Sequence, residues 1–452
     1  MNLHQKLLAR EAARRPVTAA LIGAGKFGTM FMSQARLTRG LHLAGVADLD
    51  VARARRQLDA AGWPAPQYAA ASLGEALQRR ATWVTDDAMA LIADPGIEVV
   101  IEATGVPAAG IAHALAAIAH GKHIVMVNVE ADALAGPLLA RRAQAAGVVY
   151  SLAWGDQPAL ICEHVDWARA CGFKVIAAGK GTRYEPHYHR SNPDTVWDIL
   201  DKYLAISDRA SINPKMFNSF VDGTKSGIEM TAVCNATGLL PQSGGLSFPP
   251  ATRFELAQVC KPKADGGVLE KAGVTEVTSS VDRDGRDVPH HLALGTYVVI
   301  EGETDYARRC FGEYAMLPDS SGKYAALYRP IHMIGLELGI SVASAVLRNE
   351  PTGAPTGFRS DVVATAKRPL KAGEALDGEG GFCVWGKQVP AEVSLRSGLL
   401  PLGLAHNVTL KRPVAEGDAV AWDDVMFDAD DTAVKFRREM EAAFAPAAAD
   451  AQ

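Results

Sequence analysis

The amino-acid sequence predicts an α/β fold in three parts: an N-terminal Rossmann domain with a doubly wound parallel sheet, a central α+β domain, and a small C-terminal β-rich module. A glycine motif, GAGKFG, directly follows the apolar run VTAALI at 17–22. Strand-like and helical segments then alternate along the first third of the chain. After residue 349, short apolar runs are separated by Gly and Pro, as in small β domains. We therefore expect domains at 1–152, 153–350 and 351–452.

Composition excludes several classes of protein. The 452 residues are 48% hydrophobic and 21% charged, which is ordinary for a globular chain and unlike a disordered one. The net charge of −5 disfavours nucleic acid as a partner. No apolar run is long enough for a membrane span, and charges in the first residues exclude a secretory signal. The six cysteines form no CxxC pair, which favours a reducing, cytoplasmic location.

The first 50 residues carry a dinucleotide-binding signature. Gly23, Gly25 and Gly28 match GxGxxG between a strand and a helix predicted from residue 26 to about 38. The glycines permit a tight turn, close approach of a pyrophosphate, and close packing of helix on sheet, while the helix N-terminus attracts phosphate. Lys26 and Phe27 lie within the motif and belong to the predicted cofactor site.

The choice between NAD and NADP stays open at this stage. Asp48 ends the second predicted strand, LHLAGVAD, where a carboxylate binds the ribose hydroxyls of NAD. Arg53, Arg55 and Arg56 follow closely, and an arginine there can hold the 2′-phosphate of NADP. A solvated helix face is the alternative interpretation of these arginines.

The α/β alternation continues to residue 154. We predict helices at 84–93, 107–121 and 132–146, and strands at 97–105, 122–130 and 148–154. Ligands of such sheets bind at the carboxyl ends of the strands. Thr104, Gly105, Asn128 and Glu130 lie at those ends and are predicted to line the nicotinamide side. For Glu130, an exposed position at the start of a helix is the alternative.

The central section begins with a strand predicted at 175–184 that contains a lysine between two glycines. Little bulk shields Lys180 in this GKG setting, so we consider it a site residue, with Arg183 close behind. His187 and His189 form an HxH pair of the kind found in metal sites. No third ligand is evident, so a polar loop or hydrogen bonding to substrate remains the alternative, and no metal site is assigned.

A helix predicted to be capped by Asp222 and to run to about Thr237 carries an acid–base pattern. Asp222, Lys225 and Glu229 follow i, i+3, i+7 spacing and share one face of that helix. A lysine beside a carboxylate can move the proton of an alcohol while the carboxylate tunes the pKa of the lysine. An N-cap and an ordinary Lys–Glu ion pair are the structural alternative.

The segment GKYAALYRPIHM at 322–333 combines aromatic and basic side chains. Tyr324, Tyr328 and Arg329 can hold a phosphate or carboxylate through hydroxyl and guanidinium donors. A surface loop leading into the next helix is the alternative. Beyond it we predict the β-rich module at 359–428, a helix at 429–446, and a frayed tail.

The residues also carry a family resemblance. The segments GKGTRY, VDGTKSGIEM, NATGL, LYRP and LPLGLAHNVTLKRPV make the chain similar to the 1-deoxy-D-xylulose 5-phosphate reductoisomerase-like oxidoreductases, over about residues 10–430. Those proteins combine a homoserine-dehydrogenase-like Rossmann domain, a catalytic domain and a C-terminal SAF-type module. The resemblance implies NADP(H), a homodimer, catalysis by the Lys180, Asp222, Lys225 and Glu229 group, and substrate binding by Arg183, Tyr324, Tyr328 and Arg329. No DxE-type metal-ligand pattern is found, so the need for a divalent metal is left open.

The sequence thus predicts an NAD(P)-dependent oxidoreductase for a small anionic hydroxy or keto substrate, with hydride transfer assisted by Lys and Asp groups. Isomerisation of the substrate can accompany it. Homoserine dehydrogenase activity and a non-catalytic NAD(P)-binding sensor are the alternatives.

Overall fold

The computed structural model describes residues 2–202 and 213–445, so the predicted frayed tail from residue 446 lies outside the described residues. The chain divides into two compact units: residues 1–160 with 332–356, and residues 161–331 with 357–452. None of the described helices combines the length and apolar character that crossing a lipid bilayer requires.

The first unit is built on a six-stranded parallel sheet in the order β3-β2-β1-β4-β5-β6, which confirms the predicted Rossmann-type fold. Its strands are β1 (Val17–Ile22), β2 (Leu41–Ala47), β3 (Trp83–Thr85), β4 (Val99–Glu102), β5 (His123–Met126) and β6 (Tyr150–Leu152). Its helices are α1 (Leu3–Ala12), α2 (Lys26–Ala35), α3 (Val51–Ala60), α4 (Leu73–Arg79), α5 (Ala88–Ala93), α6 (Pro107–Ala119), α7 (Val129–Ala145) and α14 (Gly339–Arg348).

One predicted helix of this unit was partly wrong. Residues 83–85 form strand β3, and only Ala88–Ala93 is helical. The Trp-Val-Thr sequence suits a strand, and Gly45 of β2 offers Trp83 a parallel partner. Asp87 then caps α5 by accepting a hydrogen bond from Ala90 N.

The division also differs from the predicted boundaries at 152 and 350. Residues 332–356 belong to the first unit because α14 buries Leu338, Val342 and Ala343 in the core that covers the parallel sheet. Residues 357–452 group with the central section rather than standing apart.

The second unit contains a four-stranded mixed sheet in the order β10-β9-β7-β8. Its strands are β7 (Lys174–Thr182), β8 (Val274–Ser279), β9 (Thr296–Glu301) and β10 (Tyr324–Arg329). Its helices are α8 (Gln157–Ala170, in this unit from Ile161 onward), α9 (Val196–Leu200), α10 (Pro214–Val221), α11 (Thr224–Thr237), α12 (Leu256–Val259) and α13 (Asp305–Glu313). Strand β7 is parallel to β8 and antiparallel to β9, so it lies inside the sheet.

The two faces of this sheet are both buried. Val175, Val298 and Ile300 pack in one cluster with residues of α8 and α11. Ile176, Val299 and their neighbours pack in another cluster with residues of α12. A side chain on β7, β9 or β10 therefore goes to one of two interiors, according to its position in the strand.

The β-rich module predicted at 359–428 is present in the second unit. Its strands are β11 (Ser360–Ala366), β12 (Ala375–Asp377), β13 (Val384–Pro390), β14 (His406–Leu410) and β15 (Val425–Met426), with helices α15 (Ala391–Ser397) and α16 (Thr432–Phe444). Helix α16 is attached by the fully buried Arg437, which forms ion pairs with Asp361 on β11 and with Glu441. Helix α11 contacts β11 through the hydroxyls of Thr231 and Ser360, 3.0 Å apart.

A buried carboxyl group in α7 makes the stability of the first unit depend on pH. Asp132 is fully buried, accepts a hydrogen bond of 2.8 Å from Tyr150 Oη, and has no partner for Oδ2 among the described residues. Burial raises the pKa of Asp132 to about 7, although the bond from Tyr150 acts in the opposite direction. The folded chain therefore binds a proton that the unfolded chain has already released, and stability is lost as pH rises from about 4 to about 7.

Replacing Asp132 with asparagine is expected to remove this loss, because asparagine keeps an acceptor for Tyr150 and never ionises. Denaturant unfolding is measured for both proteins at pH 5 and pH 8. Relative to the wild type, the free energy of unfolding of the variant should increase with pH, by up to about 1.4 kcal/mol per pH unit between about pH 4 and 7. An equal difference between the two proteins at both pH values would contradict the assignment.

Candidate functional site

The glycine turn between β1 and α2 has the geometry of a pyrophosphate site. Gly23 has a φ of +99°, and a Cβ there would lie 2.6 Å from Ala103 O. A Cβ on Gly28 would lie 2.3 Å from Gly23 O, so only glycine permits this packing of α2. Nothing lies within 4 Å of a Cβ built on Gly25, which is the N-cap of α2 and has no side-chain cap. The turn thus offers open backbone at a helix N-terminus, where anions bind.

The two other predicted residues of this turn differ in exposure. Lys26 is exposed at the first position of α2. Phe27 is half-buried and packs against the core of the unit. The structure therefore leaves Lys26 at the surface of the turn and gives the Phe27 ring a packing role.

Asp48 directly follows β2, and its buried carboxylate accepts several hydrogen bonds. Its carboxylate accepts bonds from Ala24 N at 2.8 Å and Asp50 N at 2.9 Å, and from Arg53 Nη2 at 2.7 and 2.8 Å. Burial acts to raise the pKa of Asp48, but the bonds from Arg53 and the backbone outweigh it and lower the pKa. The Asp48 side chain is 2% exposed and that of Arg53 is 49% exposed. A cofactor therefore meets the guanidinium of Arg53 more readily than the carboxylate.

The ends of β4 and β5 are joined by a polar network. Thr104 Oγ1 donates to Glu102 Oε1 at 2.5 Å and accepts from Asn128 Nδ2 at 3.3 Å. Asn128 also donates to Val106 O at 3.0 Å and caps α7 through Ala131 N. Gly105 has a φ of +69° and open space around its Cβ position. The loop at 103–106 thus presents backbone at the carboxyl edge of the sheet, while Glu130, half-buried, lies in the first turn of α7.

Sequence reasoning missed the centre of this network. Glu102 is fully buried, and its Oε1 also lies 3.2 Å from His113 Nδ1. Its Oε2 has no partner among the described residues. A charged residue at the end of the apolar run VVIE was the available signal, because a buried carboxylate needs hydrogen-bond partners.

In the second unit, Lys180 forms a buried ion pair with Glu229. Lys180 lies near the end of β7 and donates through Nζ to Glu229 Oε2 on α11. The two side chains are 5% and 3% exposed, respectively. A lysine and a carboxylate in direct contact within an interior compensate each other's buried charge and fix each other's position.

The sheet register brings further polar groups to Lys180. Thr296 on β9 is the cross-strand partner of both Lys180 and Arg329. Thr296 Oγ1 lies 3.0 Å from Nε2 of His164, a buried residue of α8. Burial, followed by the charge of Arg329, lowers the pKa of His164 to about 4, so its imidazole is neutral near pH 7. We call Lys180, Glu229, Thr296, His164 and Arg329 the Lys180 cluster.

Sequence reasoning missed two members of this cluster. His164 lies in the mixed polar and apolar segment CEHVDW of α8, where a single histidine carries little signal. Thr296 begins β9 as an ordinary strand residue. Thr296 joins the cluster through the pairing of β9 with both β7 and β10, and His164 joins it through its contact with Thr296.

The structure corrects the predicted grouping of Asp222, Lys225 and Glu229. Asp222 forms an ion pair of 2.7 Å with the buried Lys367, whereas Glu229 pairs with Lys180. Helix α11 begins at Thr224; its N-cap is Gly223 rather than the predicted Asp222, although Asp222 Oδ1 accepts a hydrogen bond from Thr224 N at 2.9 Å. Lys225 is half-buried, with Nζ 6.0 Å from the centre of the Phe220 ring. Helical spacing indicated a shared face, but tertiary contacts gave each carboxylate a different lysine.

The four residues predicted to hold a substrate anion are also separated, because side chains alternate along β10. Arg329 lies in the Lys180 cluster. Tyr324 and Tyr328 lie on the other face, where Tyr324 is buried and donates from Oη to Asp265 Oδ2 at 2.8 Å. Arg183 follows β7 and binds Asp287 at 2.7 Å.

The HxH pair lies in a short 3₁₀ helix. His189 binds Asp222 O through Nδ1 at 2.7 Å and Tyr184 Oη through Nε2 at 2.8 Å, so both ring nitrogens are used. Across the described residues, no three His, Cys, Asp or Glu side chains are grouped so that they could hold a metal ion.

Comparison with protein families matches three parts of the chain. Residues 23–152 match the homoserine dehydrogenase NAD binding domain, and residues 155–338 match the catalytic domain of oxidoreductase DRL. Residues 361–426 match the SAF domain. No curated protein gives a significant match.

Similar solved structures are distant. An NAD binding oxidoreductase from Klebsiella pneumoniae has 21% identity and a TM-score of 0.26, over 38% of this chain and 44% of that one. A probable dehydrogenase from Thermotoga maritima has 12% identity and a TM-score of 0.37, over 74% of this chain and 90% of that one. Myo-inositol dehydrogenase from Lactobacillus casei, in complex with NAD(H) and myo-inositol, has 14% identity and a TM-score of 0.39, over 75% and 89%. The alignment thus spans less than half of the first protein, and these scores carry no argument about function.

Proposed function

We propose that this chain, an NAD-binding oxidoreductase with a C-terminal SAF domain, transfers hydride between NADP(H) and a small anionic hydroxy or keto substrate. The observation that carries the proposal is the buried Lys180–Glu229 pair beside Arg329, within the part of the chain that matches an oxidoreductase catalytic domain.

Lys180 is proposed to transfer the proton to or from the substrate oxygen. When bound, the nicotinamide supplies the donor or acceptor of hydride. As an ammonium group, Lys180 donates a hydrogen bond to the carbonyl oxygen and then delivers the proton to it; in the oxidative direction the neutral amine takes the proton of the alcohol. Glu229 holds Nζ in place through the buried ion pair.

Arg329 is proposed to bind the anionic group of the substrate. It neighbours Thr296 directly in the sheet, and Thr296 in turn neighbours Lys180. A guanidinium can bind a carboxylate or phosphate through two parallel hydrogen bonds, which would fix the reacting carbon relative to Lys180. Neutral His164 and the Thr296 hydroxyl can bind a further substrate oxygen.

The proposal is tested by offering phosphorylated and carboxylated polyols with NADP⁺ and recording nicotinamide absorbance, after thermal-shift selection of ligands with NADP⁺ present. We expect turnover with at least one such compound and none with its uncharged analogue. Product analysis by NMR decides whether the carbon skeleton rearranges, as the resemblance to reductoisomerase-like proteins suggests. Cofactor binding without any turnover would favour a sensor instead.

Homoserine is the second candidate substrate, because residues 23–152 match the NAD binding domain of homoserine dehydrogenase. Oxidation of homoserine with NADP⁺ or NAD⁺ is tested in the same assay. No change in nicotinamide absorbance would exclude it.

Arg53 is proposed to select NADP, since its exposed guanidinium lies beside a carboxylate that is already fully bonded. Arg53→Leu is expected to raise the KM for NADP⁺ at least about tenfold and that for NAD⁺ by much less, because only NADP⁺ carries the 2′-phosphate. Arg56, 66% exposed on the same helix, supplies the matched control Arg56→Leu. Equal effects of Arg53→Leu on both cofactors would show that Arg53 only supports Asp48.

Two further parts of the proposal are a homodimer, which rests on the family resemblance, and a cytoplasmic location, which rests on the cysteine pattern. Light scattering of the purified chain tests the first, and fractionation of cells tests the second.

A further inference from the structure

The loop at 103–106 lies where the nicotinamide half of a dinucleotide is expected. Asp48 follows β2 and the glycine turn follows β1, so the adenosine and pyrophosphate belong to that side of the sheet. Strand β4 pairs with β1 on the other side. A Cβ on Gly23 would lie 2.6 Å from Ala103 O and 2.9 Å from Thr104 N, so the loop directly adjoins the glycine turn. A dinucleotide that crosses this turn therefore continues over the loop.

Glu102, the last residue of β4, holds this loop from the interior. Its Oε1 accepts hydrogen bonds from Thr104 Oγ1 at 2.5 Å and from Thr104 N at 3.4 Å. The Thr104 hydroxyl in turn accepts from Val106 N at 3.3 Å. Val106 is the N-cap of α6, so this chain of bonds joins the end of the strand to the start of the helix. Both ends of the loop are thus tied to the Glu102 side chain.

The position of Glu102 is unfavourable for stability alone. Its side chain is 0% exposed, and Oε1 also lies 3.2 Å from His113 Nδ1. Within the part of the chain that the structure describes, Oε2 has no hydrogen-bond partner. Helix α6 packs closely here, because a Cβ on Gly110 would lie 3.4 Å from Oε2 and 2.9 Å from Asn128 Nδ2. A buried carboxyl group with an unbonded oxygen is costly, and such costs are typical of functional sites.

We propose that Glu102 is a positioning residue for the nicotinamide half of NADP(H). By holding Thr104, it fixes the loop at 103–106 in the conformation that receives the nicotinamide riboside, and it does not touch the cofactor itself. Gly105 leaves space at this loop, since nothing lies within 4 Å of a Cβ built there. The adenosine half binds at the other end of the site and is independent of Glu102. The inference rests on the match of residues 23–152 to an NAD binding domain and uses no property of the substrate.

The test compares two ligands of the full chain in calorimetric titrations: NADPH, and 2′,5′-ADP, which carries only the adenosine half. Glu102→Met removes both oxygens at similar volume. It is expected to weaken NADPH binding at least about tenfold and 2′,5′-ADP binding less than about twofold. Glu102→Gln keeps an oxygen for Thr104 and should bind NADPH within about threefold of the wild type. Glu98→Gln, at the opposite end of the same strand, is the matched control and should change neither affinity.

Thr104→Val removes the same hydrogen bond from its other side. Thr104 is half-buried, so this variant does not depend on the folding of a core substitution. It should reproduce the loss of NADPH affinity. The double variant Glu102→Met with Thr104→Val should lose no more than the weaker-binding single variant, because both changes remove one interaction. Retained binding of 2′,5′-ADP shows in each variant that the first unit is folded.

Equal losses for NADPH and 2′,5′-ADP in Glu102→Met and Thr104→Val would show that the bond only supports the fold, and would overturn the inference. Unchanged NADPH affinity in both variants would overturn it as well, as would a loss in Glu102→Gln as large as that in Glu102→Met. These titrations contain no substrate. Failure of the proposed hydride transfer therefore leaves them unchanged, and the two failures are distinguishable.

Discussion

Replacing Lys180 with methionine is expected to lower turnover at least about a hundredfold while cofactor affinity stays within about twofold, the scale expected for a lost acid–base group. Methionine fills a similar volume without a charge or a proton. The measurement is steady-state turnover with the substrate found in the screen, beside fluorescence titration with NADPH. Lys225→Met separates the two lysines that the sequence proposed for the proton, and we expect it to cost less than about tenfold.

The same variant leaves Glu229 buried without its partner, so loss of folding has to be separated from loss of chemistry. Breaking a buried ion pair from one side costs about 3–5 kcal/mol, whereas replacing both partners with apolar residues is often neutral. The double variant Lys180→Met with Glu229→Leu is therefore expected to recover stability and remain inactive. Recovery of both stability and turnover would make the pair purely structural and would contradict the proposed role of Lys180.

Replacing Lys367 with methionine is expected to reduce the free energy of unfolding by about 3–5 kcal/mol. Lys367 Nζ donates to Asp222 Oδ2, Ser191 O and Gly381 O, each at 2.7 Å, and the pair is almost completely buried. The variant leaves a buried carboxylate and two carbonyls without this donor. Denaturant unfolding measures the loss.

The double variant Lys367→Met with Asp222→Leu provides the decisive comparison. We expect it to regain most of the lost stability and to keep turnover within about tenfold of the wild type, because Asp222 is structural in this arrangement. Lys435→Met breaks the exposed ion pair with Asp430 and should cost less than about 1 kcal/mol. If the double variant Lys367→Met with Asp222→Leu folds well but has lost turnover, Asp222 takes part in catalysis.

Features that depend on residues close together in the sequence were predictable from the sequence. The GxGxxG turn, the alternation of strands and helices in the first unit, and the β-rich module follow from local chain geometry and apolar periodicity, and the fold class was confirmed. Even here the strand at 83–85 was missed, since a three-residue strand is defined by its partner β2 rather than by its own pattern.

The candidate site was predictable only in part. Lys180 and Glu229 were each selected from the sequence, but for different reasons and in different groups. Helical spacing placed Glu229 with Lys225 and Asp222, because sequence shows which residues share a face and not what that face meets. Likewise, the segment at 322–333 suggested one anion site, yet alternation along β10 directs Tyr324 and Arg329 to opposite interiors.

By itself, the sequence determined the class of fold, the glycine turn and the pool of charged residues from which a site could be built. Only the tertiary structure decided that Lys180 pairs with Glu229, Asp222 with Lys367, and His164 with Thr296. The physical reason is that a buried charge must find a partner, while the order of strands in the sheet and the packing of α8, α11 and β11 determine which partner lies within hydrogen-bonding distance.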